Sequence, residues 1–142
     1  MLTDLWTVHN YEQDPVRLKA TLTPDPVKGV WRNNPDQEVE YSGQPYLVDE
    51  FGGIKWIPET RRAYADNSWG YGDAPKTIEE FYARLEGLVT AILSHAHICG
   101  YCYTQLTDVE QEQNGIYNYD RSTKFDMNLI ASIIGRNPTP SP

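Results

Sequence analysis

Three short runs rich in strand-forming residues alternate with three segments of helical spacing. The runs are DLWTVHNY at 4–11, PYLVDE at 45–50 and HICGYCYTQ at 97–105. That alternation constrains the fold more than any other feature of the chain. Strands separated by helices cannot return through tight hairpins, so each connection crosses over and the strands lie parallel. The expected class is α/β, built from βαβ units.

The helical segments carry their own start and stop signals. In EQDPVRLKATL, Asp14 is a candidate N-cap with Pro15 at the first helical position. In TIEEFYARLEGLVTAILSH, Thr77 and Glu80 have the spacing of a capping box. Ile78, Phe81, Leu85, Leu88, Val89 and Ile92 then fall on one face, which reads as core. DMNLIASIIG forms the last helix, closed by Gly135. Residues 23–45 and 52–76 have no periodicity and read as long loops, a length that often signals function.

Charge and cysteine usage exclude several classes of partner. The formal net charge is −8 with a pI of about 4.7, and no Lys/Arg cluster offsets that field. Nucleic acid and anionic membrane are therefore not expected partners. No run approaches the roughly 18–20 apolar residues of a membrane span. MLTDLWTVHN lacks the basic and apolar regions of a signal peptide, which favours a cytoplasmic location. Cys99 and Cys102 follow a helix rather than opening one, and no second cysteine pair exists to complete a zinc site. They are expected to be small buried hydrophobes, and no metal or cofactor is expected.

In a parallel α/β fold the loops after the strands gather on one face, where ligands bind. Here those loops are HNYEQ, DEFGGIKW and TQLTDVEQEQNG. Glu50 ends the second strand, and Gly52-Gly53 behind it allow the backbone to turn away while the carboxylate points into a cleft. A solvated strand-end acid would look the same in isolation. Tyr11, Trp69 and Gln105 belong to loops on the same face, and their mix of aromatic and amide groups suits a polyhydroxylated ligand. The chain holds 10 Tyr and 4 Trp against 3 Phe, a set that serves wet-edged cores and ligand clefts alike.

DEFGG, SWGYGDAPKTIEEFYARLEGL and HICGYCYTQLTDVEQEQNGIYNYDR, in that order, resemble the last part of the catalytic barrel of glycoside hydrolase family 2. That family includes β-galactosidases and β-glucuronidases. The resemblance implies a partial (β/α)8 TIM barrel, strands six to eight, over residues 1–135, with 136–142 as a flexible tail. It implies that Glu50 is the nucleophile, with Asp49 where Ser is common in the family. Tyr11 would sit beside the nucleophile at the end of HNY, and Thr104 or Gln105 would touch substrate. His9, Asn10 and Trp69 complete the implied carbohydrate-binding set.

The same resemblance shows what is missing. The family's acid/base Glu belongs to an Asn-Glu pair, and this sequence contains none. A whole barrel takes about 250 residues. The chain is thus expected to be part of a retaining β-glycosidase, inactive alone, whose partners are a carbohydrate and the missing part of the barrel. Failing the latter, it would self-associate through open sheet edges. Asp108 and Glu110 are the acids that would have to replace the missing one. A non-catalytic carbohydrate-binding module and a structural interaction protein are the competing classes.

Overall fold

A computed structural model describes residues 4–137. In chain order the elements are β1 (Trp6–Asn10), α1 (Pro15–Leu22), β2 (Tyr46–Gly52), a 3-10 helix (Glu59–Tyr64), α2 (Ile78–Leu93), β3 (Ile98–Thr104) and α3 (Met127–Ile134). The strands pair in parallel in the order β1-β2-β3.

Caps set the helix starts. Asp14 accepts from the backbone N–H groups of Val16 and Arg17, and Asp126 accepts from those of Asn128 and Leu129. Thr77 accepts from Glu80 N at 3.2 Å. The return bond differs from a capping box, because the Glu80 carboxylate accepts from Lys76 N, one residue earlier. Gly135 ends α3 with an ordinary negative φ of −81°. Glycine is needed there for space, since a Cβ would come 2.7 Å from Ala131 O.

The helices α1 and α2 pack on each other, and α3 on α2. Val8, Val48 and Phe51 from the sheet meet Leu18, Leu22, Phe81, Leu85, Leu88 and Ile92 in one buried cluster. Each such side chain contributes about 1.5–3 kcal/mol on burial. Phe125 stacks on Phe81 at 4.3 Å between centroids, tying the long segment after β3 to α2.

The expected barrel segment is overturned: the three strands form a small open sheet, and the described residues are an α/β domain with a core of its own. Alternation of strands and helices encodes parallel pairing and crossovers, but not the number of strands or their closure. The edge at β1 is also covered at one point. The Asn33 side chain accepts from His9 N at 3.0 Å and donates to His9 O at 2.8 Å. One amide thus stands in for a neighbouring strand.

Two further expectations are corrected. Cys99 and Cys102 are free and exposed, because β3 is an edge strand of the sheet. The loop at 52–76 contains the 3-10 helix, which carries no apolar periodicity to reveal it. Arg136, the first residue of the expected tail, donates to Glu86 O and Thr90 Oγ1 of α2, each at 3.0 Å. The remainder of that tail, 138–142, lies outside the described residues.

Candidate active site

Strict alternation along β2 would send Asp49 and Glu50 to opposite faces. The register shows otherwise. Val8 pairs with Val48 and His9 with Glu50, while Val48 pairs with Tyr101 and Phe51 with Tyr103. Asp49 is therefore an extra residue against both neighbouring strands, a β-bulge. Val48 and Phe51 both reach the core despite their odd spacing, and both acids are left on the side away from it. Bulges re-aim side chains in this way.

Two groups meet the Glu50 carboxylate. Tyr11 donates its hydroxyl hydrogen to Glu50 Oε2, and the same hydroxyl lies 3.4 Å from Thr104 Oγ1. The His9 ring spans the two acids, with Nδ1 3.3 Å from Glu50 Oε2 and Nε2 3.5 Å from Asp49 Oδ1. Burial, and then the bond to Glu50, push the Tyr11 phenol well above its ordinary value of 10.0. It therefore stays protonated and remains a donor to the carboxylate.

Behind this group, Tyr71 lies parallel to Tyr11 at 3.5 Å between centroids, and Trp69 meets Tyr71 edge-on at 5.9 Å. The glycine pair makes that possible. Gly53 has φ +60°, and any Cβ there would overlap the Tyr71 ring; Gly52 has φ +83° and faces Tyr103 in the same way. Gln13 ties the strand ends together, its Nε2 donating to Tyr11 O at 3.0 Å and to Gly52 O at 2.5 Å.

Of the residues expected here, His9 and Tyr11 are brought to Glu50, and Thr104 to the Tyr11 hydroxyl. Trp69 is one ring further out, 47% exposed. Asn10 is buried, and its side chain accepts from Glu12 N at 3.0 Å, which shapes the turn after β1. Gln105 donates to Asn114 Oδ1 at 2.9 Å, and Asn114 donates in turn to Glu112 Oε1 at 3.0 Å. Asp108 is committed elsewhere: it is buried, ion-paired with Lys124, and accepts from Gly115 N at 2.9 Å.

Tyr71, Gln13 and Asn33 were not singled out from sequence. A ring at 71, two residues after Trp69 and followed by Gly72, was the one available signal. Two sizeable clefts lie away from Glu50, one of about 950 Å³ beside the 23–41 loop and one of about 500 Å³ between Arg61 and the 108–120 segment. Glu50 itself is 40% exposed on the open side of the sheet. No family model and no curated protein matches the chain.

Proposed function

We propose that Glu50 is the nucleophile of a retaining β-glycosidase site, and that this chain carries one of the two carboxyl groups the reaction uses. The observation that supports it is the bulge-presented carboxylate held by the Tyr11 hydroxyl. A carboxylate fixed in one orientation and open to solvent on one side is placed to attack an anomeric carbon. The Glu50 oxygen forms the new C–O bond as the glycosidic bond breaks, and the bonding pair leaves on the departing oxygen. Water then cleaves the glycosyl ester and restores the carboxylate.

The departing oxygen needs a proton from a second carboxyl about 5–5.5 Å from the first. Asp49 neighbours Glu50 on the same strand and so approaches a sugar from the nucleophile's side. Asp108 is held by Lys124. The resemblance to glycoside hydrolase family 2 puts the acid in an Asn-Glu pair, which this sequence lacks, so the acid is assigned to another polypeptide segment and the chain alone is not expected to turn over ordinary glycosides.

An activated 2-fluoro-β-galactoside with a dinitrophenolate leaving group tests this without the missing acid, because that group departs unprotonated. Mass spectrometry should find one fluoroglycosyl ester, on the Glu50 peptide, and none in Glu50→Gln. An ester on another carboxylate, or an unlabelled protein, overturns the proposal. A carbohydrate-binding module, favoured by the exposed ring of Trp69, would instead bind sugar equally well in Glu50→Gln and take no label.

A further inference from the structure

We infer that Asn114 is a latent modification site: the folded segment after β3 protects it, and opening of that segment lets it convert to aspartate and isoaspartate. This chemistry is independent of the role proposed for Glu50. Asn114 alone among the asparagines of the chain precedes a glycine. With no Cβ at Gly115, the backbone nitrogen of that residue is free to reach the Asn114 side chain once the segment is open. The nitrogen attacks Asn114 Cγ, its proton passes to the departing amide, and ammonia leaves as a cyclic imide closes. Water then opens the ring. Addition at Cγ gives aspartate, whereas addition at the main-chain carbon routes the backbone through the side chain as isoaspartate.

The fold restrains both reacting groups. Asn114 is 0% exposed. Its Oδ1 accepts from Gln105 Nε2 at 2.9 Å and its Nδ2 donates to Glu112 Oε1 at 3.0 Å, so turning Cγ towards Gly115 breaks both bonds. Gly115 N donates to Asp108 Oδ1 at 2.9 Å, which fixes the peptide plane of the attacking nitrogen. That plane has no room to swing, because a Cβ at Gly115 would come 2.2 Å from Asp108 N. Backbone bonds close the segment on either side, Ile116 N to Gln105 O and Gln113 N to Trp69 O, each at 2.9 Å. A buried amide with its polar atoms paired lacks both the freedom and the water the reaction uses. Local opening supplies the two together. Isoaspartate then adds a main-chain carbon where 107–108 lie directly against Gly115, so the segment cannot close again and the conversion runs one way.

Incubating the full chain at mildly alkaline pH, in buffer and in urea above its unfolding midpoint, and mapping isoaspartate by mass spectrometry tests this. In urea the peptide carrying residue 114 should convert before any other, and in Asn114→Gln that peptide should not convert. In buffer its conversion should be at least about 100-fold slower, since only the open population reacts. Gln105→Ala and Glu112→Ala each remove one bond to the Asn114 amide and should speed conversion of the folded chain by about fivefold. Glu112→Gln keeps the accepting oxygen and should match the parent. A variant that fails to fold will convert at its urea rate, and the parent in buffer and in urea then decides alone. Equal parent rates in buffer and urea, isoaspartate forming first at another residue in urea, or folded Gln105→Ala and Glu112→Ala proteins converting no faster than the parent would each overturn the assignment.

Discussion

Tyr11 and Glu50 stand 39 positions apart in the chain, and the phenol of one donates its hydrogen bond to the carboxylate of the other. Neither residue is placed by its own strand alone. Asn33 borders β1 at His9, the bulge at Asp49 aims Glu50, and the parallel Tyr71 ring closes the far side of Tyr11.

Tyr11→Phe keeps the ring stacked on Tyr71 and removes only the donated bond. A hydrogen bond to a charged group contributes about 1.5–3 kcal/mol. The rate of fluoroglycosyl labelling at Glu50 should accordingly fall by about 10- to 100-fold, with the thermal midpoint little changed. A rate equal to that of the parent chain would show that the phenol does not act on the carboxylate.

Lys124 and Asp108 form a buried pair beneath the second cleft, with Lys124 Nζ also 3.0 Å from Trp56 O. Burial pushes the Asp108 carboxyl up and the Lys124 ammonium down, against their mutual contact. Lys124→Met leaves the carboxylate buried without its counter-charge and should cost about 3–5 kcal/mol. Adding Asp108→Asn removes that charge while keeping an oxygen for Gly115 N, so the double variant should recover most of the loss. Urea unfolding of the three proteins measures it, and additive losses would refute the account.

His95 and His97 lie at the junction of α2 and β3, and burial lowers both from the ordinary value of 6.5. The His95 ring donates to Lys19 O at 3.1 Å, and His97 Nε2 is buried without a partner. As pH falls through about 6.5 the unfolded chain takes up protons that the native chain refuses, so stability must fall with it. The urea midpoint should drop between about pH 7.5 and pH 5.5. In His95→Gln/His97→Gln the drop should be smaller, and a midpoint that held or rose on acidification would contradict it.

Sequence by itself determined the elements whose causes are local. Asp14 and Thr77 cap helices through bonds to groups two or three residues ahead, and the stripe from Phe81 to Ile92 repeats within a single helix. Such signals act over one turn, so they survive whatever the rest of the chain does. Runs of strand-forming residues marked β1, β2 and β3, although β2 continues past Glu50 to Gly52. Tertiary structure decided the rest. DEFGG reads identically with or without a bulge, and only pairing with both β1 and β3 makes Asp49 the extra residue that turns Glu50 outward. Asn33 reaches His9 across 24 positions, a contact with no local signature. Cys99 and Cys102 have strand-like neighbours, yet they are exposed because β3 is an edge strand. Closure into a barrel failed as an expectation on the same ground, since the number of strands in a sheet is a property of long-range pairing and not of any segment within it.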